Sequence, residues 1–214
     1  KSPLTGIYGD SNAGGFFGPE LKFAGWDYIV LTGRAESPVY LHIHDDDVAL
    51  RDARNLWGMT TSETEEAIWE ELADGKVKTA TIGPAGQNLV RFAGIQVTSQ
   101  RSAARSGLGA VMGSKNLKAI VARGHSRVPL ADPERFRDLA KQFRQRLREN
   151  AVFEPVHQHG TPGITAMMNA LGRFPTKNFQ MGSFAQIDQI DAEALEQRAF
   201  VRHMSCYACP VGCD

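Results

Sequence analysis

The sequence has few cysteines and no excess of charge of either sign, and both features narrow the classes of protein it can be. Its 214 residues include three cysteines, and 24 basic side chains balance 24 acidic ones. A balanced charge creates no overall field that would attract nucleic acid or an anionic membrane, so we expect neither as a partner. An odd and small number of cysteines excludes a disulfide framework, and a reducing cytoplasmic compartment is therefore expected.

Long apolar runs and an initiator methionine are also missing. The longest apolar runs, such as "DYIVLTG" and "LKAIVARG", have the length of a strand and are too short to span a bilayer. The sequence begins at Lys1 in a turn-rich stretch, and it ends one residue after Cys213. We therefore expect the chain to be a fragment of a longer polypeptide.

The pattern of turn residues and apolar periodicity predicts an α+β protein in two parts. Short β-rich runs bounded by Gly, Pro and Asp occur at residues 28–33, 39–43, 77–82, 89–97 and 117–122. Beyond residue 128 the sequence becomes helical in character, with helix-prone segments at 162–172 and 191–200. We place a domain boundary there, so that a sheet-rich part covers 1–127 and a helical part covers 128–214.

Two helices have recognisable start signals. Ser62 and Glu65 have the spacing of a capping box, which predicts a helix in the middle of the sheet-rich part. Asp132 is a typical N-cap, and Pro133 is favoured at the first helical position. A helix is therefore predicted to begin directly after Asp132.

All three cysteines lie in the last nine residues, in the order Cys206-x2-Cys209-x3-Cys213. Three thiolates from one loop are typical of an iron–sulfur cluster, which cysteine sulfurs hold corner by corner. Zinc, with His203 as a fourth ligand, is an alternative, although structural zinc sites usually combine two separated pairs of ligands. A group of unliganded cysteines is the third interpretation.

Two glycine-rich stretches could bring the backbone close to an anionic cofactor. They cover residues 9–18 and 101–120, and the second contains arginines and the sequence Gly113-Ser114-Lys115. This order differs from the Gly-Lys-Ser/Thr of a P-loop, which excludes that motif. Amide groups at Gly107, Gly109 and Gly113 are predicted to line a phosphate, and tight turns are the alternative interpretation.

A further cluster, His42, His44 and the three aspartates at 45–47, has the composition of a metal site. Alternation along a strand followed by a charged turn explains the same pattern more simply. We therefore predict a strand and a turn there rather than a metal site.

Four stretches together resemble one known family. In chain order they are "KSPLTGIYGDSNAGGFFGPELKFAGWDYIVLTGRAESPVYL", "RSGLGAVMGSKNLKAI", "GTPGITAMMNALGRFPTKNF" and "CYACPVGC". They resemble the tungsten-containing aldehyde:ferredoxin oxidoreductases, and the resemblance extends over essentially the whole chain. It implies that the chain is the later part of a pterin-cradling N-terminal domain followed by the start of a helical second domain.

The resemblance implies a tungsten-bispterin cofactor (tungstopterin) in the first domain, a 4Fe-4S cluster and a magnesium ion that bridges the pterin phosphates. Backbone carbonyls at Asn12 and Ser102 would meet the magnesium ion, and Ser102 stands where the family usually has alanine. The implied cofactor-binding residues are Asn12, Gly14, Gly15, Arg101, Ser102 and, as an alternate to Arg101, Arg105. The implied cluster ligands are Cys206, Cys209 and Cys213.

The implied reaction is the oxidation of an aldehyde to a carboxylic acid, with electrons leaving through the cluster to ferredoxin or another acceptor subunit. We also expect an oligomer. The family's acid–base residues and fourth cluster cysteine are expected outside this sequence, so no catalytic residue is assigned. The alternatives are a related tungsten or molybdenum reductase of acids or aromatic thioesters, and a non-catalytic module stabilised by a cluster or by zinc.

Overall fold

The structure of the chain is a computed structural model that describes residues 1–98 and 101–213. The chain divides into two compact units, Lys1–Pro129 and Leu130–Asp214. The first contains a sheet with helices, and the second contains helices and loops. The α+β class is confirmed.

Unit 1 is built on a six-stranded mixed sheet with the strand order β2-β1-β6-β3-β4-β5. The strands are β1 (Val39–His44), β2 (Asp47–Asp52), β3 (Lys78–Thr81), β4 (Ile95–Val97), β5 (Arg101–Ala103) and β6 (Leu117–Arg123). β1 and β6 are parallel, and the other neighbouring pairs are antiparallel. The strand that carries Arg101 therefore lies at one edge of the sheet.

Helices cover both faces of this sheet. They are α1 (Phe17–Phe23), α2 (Thr61–Leu72), α3 (Pro84–Gln87) and α4 (Leu108–Ser114). On one face, Ile68 of α2 packs against Tyr40 and Val121, and on the other, Met112 of α4 packs against Leu41. Tyr40 and Leu41 are adjacent in β1, so strand alternation supplies one side chain to each core.

Two polar side chains in the core are satisfied by specific hydrogen bonds. Tyr40 Oη donates to Glu71 Oε1 at 2.7 Å, and burial together with this carboxylate raises the pKa of Tyr40 to about 12. Lys118 is fully buried in β6, and its Nζ donates to the carbonyls of Met59 at 2.7 Å and Ile82 at 2.8 Å. Burial lowers the pKa of Lys118 to about 8. These bonds connect α2 and the segment before it to the middle of the sheet.

The strands predicted at 39–43, 77–82 and 117–122 are confirmed, but two other predictions are wrong. Residues 28–33 form no strand; Ile29 and Leu31 pack against the core from an extended loop. Of residues 89–97 only the last three are a strand, because Leu89 has a left-handed φ of 58° and Val90 N–H bonds back to Ala85 O at the end of α3.

The capping box of α2 is two residues earlier than predicted. Thr60 is the N-cap; its side chain accepts from Glu63 N–H, and the Glu63 side chain accepts from Thr60 N–H. Ser62 already lies inside the helix. Glu65 is buried and accepts a hydrogen bond from Thr79 Oγ1 at 2.8 Å, so it connects the helix to β3 instead of capping it.

Close backbone packing joins α4 to the segment of residues 86–94. Gly109 and Gly113 face the carbonyl oxygens of Gly94 and Gly86, and a Cβ atom at either position would overlap with them. Gly109 N–H also donates to Ala93 O at 2.8 Å. Glycine is required here because no side chain fits between the two backbones.

Unit 2 contains the helices α5 (Pro133–Arg148), α6 (Phe153–His159), α7 (Thr165–Ala170) and α8 (Ala192–Ala199), with short 3-10 helices at Thr161–Ile164 and Ile187–Gln189. The predicted start of α5 is confirmed, since Asp132 accepts from Arg135 N–H at 2.9 Å and Pro133 is the first helical residue. Among the described helices none combines the length and the apolar character that crossing a membrane requires.

We predict that Gly113→Ala lowers the thermal unfolding midpoint of the full-length protein, because the new methyl group overlaps with the Gly86 carbonyl; such overpacking typically costs about 1–3 kcal/mol. Gly18→Ala in α1 is the matched control, since a Cβ there meets no atom within 4 Å and alanine favours a helix. Differential scanning fluorimetry checks both variants. Equal midpoints for the two variants would contradict the packing role of Gly113.

Candidate cofactor and metal-cluster site

The two glycine-containing loops predicted to bind a cofactor lie against each other in unit 1. Ser106 Oγ donates to Asp10 O at 2.9 Å, and Arg105 N–H donates to Ser11 Oγ at 3.2 Å. These pairs join segments that are more than 90 residues apart in the sequence. The contact therefore places the backbone directly before Asn12 close to Arg105 and Ser106.

A second contact joins Gly15 to Arg101. Gly15 has a φ of +92°, and a Cβ atom built on it would lie 3.2 Å from Arg101 Cγ. Glycine thus serves here for two reasons: it adopts the left-handed conformation without strain, and it leaves room for the arginine stem. The stretch of residues 9–18 therefore contacts the segment 101–106 at both ends, at Arg101 and at Arg105 and Ser106.

The predicted residues differ in their position relative to the sheet. Arg101 and Ser102 lie on the edge strand β5, where they pair with Val97 and Gln96 of β4. Arg105 lies in the loop that follows. Asn12, Gly14, Ser102 and Arg105 are exposed, and Gly15 and Arg101 are half-buried. The structure therefore presents an exposed surface of loop backbone and arginine side chains.

The prediction for the second glycine-rich stretch is wrong in part. Gly107, Gly109 and Gly113 are buried, and the N–H of Gly109 is taken by Ala93 O. A Cβ atom at Gly107 would overlap with Arg91 O. The spacing of these glycines reflects close packing of α4, and the exposed backbone lies at residues 12–14 of the other loop.

The cysteine loop of unit 2 is held in a compact turn. Cys206, Cys209 and Cys213 are half-buried and are not joined in disulfides, and Cys209 N–H donates to Cys206 O at 3.1 Å. Ala208 and Gly212 have left-handed φ values of 54° and 59°. Each reverses the chain next to a cysteine, so all three cysteines are kept in one short loop.

Helix α6 anchors this loop. His157 Nδ1 donates to Val211 O at 2.6 Å, because a carbonyl oxygen can only accept. The His157 ring also stacks on His203 with a centroid distance of 4.7 Å. At the end of the helix, a Cβ atom on Gly160 would overlap with Cys213 O. The loop is thus held in place at Val211 and at Cys213, its last cysteine.

The spacing of the thiols bears on which metal fits. Within residues 1–98 and 101–213, the one group of three metal-binding side chains whose ligand atoms lie within 4.8 Å of one another contains no cysteine. A tetrahedral zinc site with Zn–S bonds of about 2.3 Å needs sulfurs about 3.8 Å apart. A cubane holds its cysteines farther apart, one at each iron corner. The loop is therefore more open than a zinc site.

A mostly apolar cavity of about 410 Å³ lies beside Cys213. Its lining includes His159, Pro162, Phe200, Val201 and His203. His159 Nδ1 is buried without a hydrogen-bond partner among the described residues, and Glu196 Oε2 lies 3.5 Å away. An apolar wall and an unsatisfied buried nitrogen beside Cys213 fit an additional group at this position.

Family models match the regions that contain the glycine-containing loops and the cysteine loop. A family model described as "Aldehyde ferredoxin oxidoreductase, N-terminal domain" matches residues 1–124, and the model for domains 2 and 3 of the same family matches residues 138–214. The chain belongs to the aldehyde ferredoxin oxidoreductase family. The two glycine-containing loops fall in the N-terminal match, and the cysteine loop falls in the second.

Individual proteins of known name are similar over the whole chain. The tungsten-containing aldehyde ferredoxin oxidoreductases of Pyrococcus abyssi and Pyrococcus furiosus are 48% and 47% identical over 214 residues. An aliphatic sulfonate oxidoreductase, WOR-like subunit, of Pyrococcus furiosus is 34% identical over 228 residues. The chain spans about a third of the length of these relatives, 35% for the first two and 36% for the third.

A solved structure supports the same fold assignment. The active site complex BamBC of benzoyl coenzyme A reductase, in complex with 1,5-dienoyl-CoA, matches with a TM-score of 0.78 at 34% identity. The match covers 95% of this chain and 33% of that one. The fold is therefore shared between this chain and part of a related enzyme.

Three contributors to the two loops escaped sequence reasoning. Ser11 and Ser106 join the glycine-containing loops, but their pairing depends on the fold, and serine in a loop carries no signal of its own. His157 precedes the cysteines by about 50 residues, and the stretch around it is equally typical of a polar loop. In this chain, then, the residues that position the loops are less visible in sequence than those expected to bind.

We predict that His157→Phe loosens the cysteine loop while keeping a ring on the His203 face. Loss of the bond to Val211 O removes a net stabilisation of about 0.5–1.5 kcal/mol, which corresponds to roughly two- to tenfold faster local opening. Hydrogen exchange of residues 206–213, followed by mass spectrometry on the full-length protein, measures it.

His203→Phe is the matched control, since it also keeps a ring in the stack and leaves the Val211 bond intact. Exchange in the control should stay close to wild type. Equal acceleration in both variants would show that stacking, and not the carbonyl bond, fixes the loop.

Proposed function

We propose that the full-length protein is a tungsten-dependent oxidoreductase that oxidises aldehydes to carboxylic acids. The observation that carries the proposal is the contact of Asp10 and Ser11 with Arg105 and Ser106, which joins two loops into one exposed surface in a chain of this family. The close similarity to tungsten-containing aldehyde ferredoxin oxidoreductases supports the substrate class.

The residues proposed to hold the tungstopterin cofactor are those of the joined loops. A pterin phosphate is a dianion that needs N–H donors and guanidinium groups, and the exposed backbone around Asn12 and Gly14 and the side chain of Arg101 supply both kinds of group. Gly15 permits the close approach to Arg101, and Arg105 stands at the far end of the same segment. Carbonyl oxygens at Asn12 and Ser102 are the proposed ligands of a magnesium ion.

When bound, the cofactor would supply the two-electron chemistry at the aldehyde carbon, and the role of this chain is to bind and orient it. The loops would hold the cofactor through its phosphates, and the close packing of the buried glycines of α4 positions the segment that carries Arg101 and Arg105. No residue of this chain is assigned to proton transfer. That role is proposed to belong to residues beyond this sequence.

Cys206, Cys209 and Cys213 are proposed as three ligands of a 4Fe-4S cluster, with the fourth ligand elsewhere in the full-length protein. They are not joined in disulfides, the loop is more open than a tetrahedral zinc site, and the neighbouring cavity is mostly apolar. A cluster here would carry electrons one at a time from the cofactor towards ferredoxin. We also propose that the full-length protein is cytoplasmic and forms an oligomer.

A second candidate is a reductase of an aromatic thioester or a carboxylic acid. It is favoured by the likeness to the benzoyl coenzyme A reductase complex, with a TM-score of 0.78. The higher identity to aldehyde ferredoxin oxidoreductases, 47–48% against 34%, favours the first candidate. Assays of the full-length protein with an aldehyde and a viologen dye, and with a thioester and a reduced dye, separate the two.

We predict that Arg101→Ala lowers the tungsten and pterin content of the full-length protein and its aldehyde-dependent dye reduction together, while the fold remains intact. The variant removes a guanidinium from a half-buried position on the edge strand and empties no position of the hydrophobic core. Arg105→Ala should have a smaller effect, and Arg137→Ala, an exposed arginine on α5, none. Elemental analysis measures the amount of tungsten per protein chain.

Glycine substitutions test the same cofactor-binding surface without removing a charged side chain. Gly15→Ala should also lower the tungsten content, because its methyl group crowds the Arg101 stem. Gly6→Ala is the matched control, since Gly6 also has a positive φ but meets no atom within 4 Å. Unchanged cofactor content in both Arg101→Ala and Gly15→Ala would contradict the proposed binding surface.

We predict that Cys206→Ser, Cys209→Ser and Cys213→Ser each lower the iron content of anaerobically purified full-length protein, because each removes a thiolate ligand. The low-temperature spectrum of the reduced cluster should be lost or altered in parallel. Retention of iron, or wild-type protein that carries zinc and no iron at this loop, would contradict the assignment.

A further inference from the structure

A cluster of two histidines and one aspartate lies in unit 1, where the strands β1 and β6 end. The two strands are parallel, and His44, the last residue of β1, pairs with Arg123, the last residue of β6. The chain continues from β6 to His125, and from β1 into the turn at Asp45. Ligand atoms of His44, Asp45 and His125 all lie within 4.8 Å of one another.

The Asp45 carboxylate is held in place by the surrounding backbone. Its Oδ1 accepts from His125 N–H at 2.8 Å, which leaves Oδ2 directed to the His125 ring at 2.9 Å from Nδ1. Asp45 N–H donates to Arg123 O at 2.9 Å, and Asp45 O accepts from Trp26 Nε1 at 3.0 Å. Asp45 also has a left-handed φ of 51°, a conformation that aspartate tolerates better than most residues.

The two imidazoles flank this carboxylate with room to move. His44 Nε2 lies 4.0 Å from Asp45 Oδ2, and the rings of His44 and His125 are 5.3 Å apart. Both side chains are about half exposed, at 49% and 53%. In a tetrahedral site with metal–ligand bonds of about 2.0–2.2 Å, the ligand atoms lie about 3.4 Å apart. The observed separations of 2.9 Å and 4.0 Å from Asp45 Oδ2 bracket that spacing, and both rings are partly exposed to solvent.

The charges around His44 and His125 favour a cation bound between the two rings and the Asp45 carboxylate over a direct contact of the rings alone. The guanidinium of Arg123, two residues before His125, is neutralised by Glu20 Oε1 at 2.8 Å and Asp74 Oδ2 at 2.9 Å. Two protonated histidines side by side would repel each other, whereas two neutral imidazoles can share one cation with the carboxylate. The exposed carboxylates of Asp46 and Asp47 are close along the chain and add negative charge.

We propose that His44, Asp45 and His125 form a binding site for a divalent first-row transition metal ion such as Zn²⁺. Two nitrogen ligands and one oxygen ligand suit zinc, copper or nickel, and they disfavour Mg²⁺ and Ca²⁺, which prefer oxygen ligands. Three protein ligands leave a fourth position for water. The ion would connect the β1–β2 turn to the end of β6, and this site is independent of the cofactor loops and of the cysteine loop.

Isothermal titration of the full-length protein with Zn²⁺, after extraction of loosely bound metal, tests the proposal. Wild type should bind about one zinc ion that is absent from His125→Gln, or is bound there at least tenfold more weakly. His44→Gln and Asp45→Asn should show the same loss. Asp46→Asn is the matched control; it removes a carboxylate from the same turn but not from the cluster, and since that exposed charge is screened it should still bind one zinc ion with an affinity within about threefold of wild type.

Melting curves recorded without added metal show whether each variant is folded, and His44→Gln replaces His125→Gln if the latter is not. A hundredfold excess of Mg²⁺ should leave the bound zinc in place. Identical zinc titrations of wild type, His44→Gln and His125→Gln would overturn the site. So would an equal loss in Asp46→Asn, or displacement of the zinc by Mg²⁺.

Discussion

The packing of one backbone directly on another, without side chains between them, is the constraint on which unit 1 depends. Gly109 and Gly113 of α4 lie against the carbonyls of Gly94 and Gly86, and Gly107 lies against Arg91 O. This contact fixes where α4 begins, and so it fixes the segment of residues 101–107 that precedes it. Because Ser106 and Arg105 bond to the loop of residues 9–18, the glycine packing also determines where that loop lies.

The cysteine loop of unit 2 follows a similar logic on a smaller scale. A close approach at Gly160 and one short hydrogen bond from His157 fix its end, while left-handed residues reverse the chain between the cysteines. In both units the candidate ligands themselves are at least partly exposed, and buried or half-buried neighbours hold them. A site built in this way can exchange contact with water for contact with a cofactor without rearrangement of the core.

Sequence reasoning succeeded where a local signal had a local cause. Asp132 and Pro133 mark a helix start because the side-chain cap and the fixed proline φ act within one turn. The order of the cysteines and the resemblance of four stretches were equally local, and they led to the correct family. The capping box was misplaced because Thr60, Thr61 and Ser62 all offer hydroxyl groups, and only the backbone conformation selects Thr60.

What could not be predicted depends on pairings between distant segments. The bonds between Ser106 and Asp10 and the arrival of His125 beside His44 follow from strand order, in particular from the parallel pairing of β1 with β6. The sequence places His42 and His44 two residues apart on a strand, and it gives no sign that His125 lies beside His44. In the sheet His42 is buried, while His44 reaches the surface next to a residue about 80 positions later.

The proposed cofactors give the account its most direct test. Elemental analysis of the full-length wild-type protein, purified anaerobically, can determine tungsten, molybdenum, iron and zinc in one preparation. The account predicts about one tungsten atom per chain together with about four iron atoms, the content of one 4Fe-4S cluster. Protein that is folded and carries zinc, but neither iron nor tungsten nor molybdenum, would contradict it.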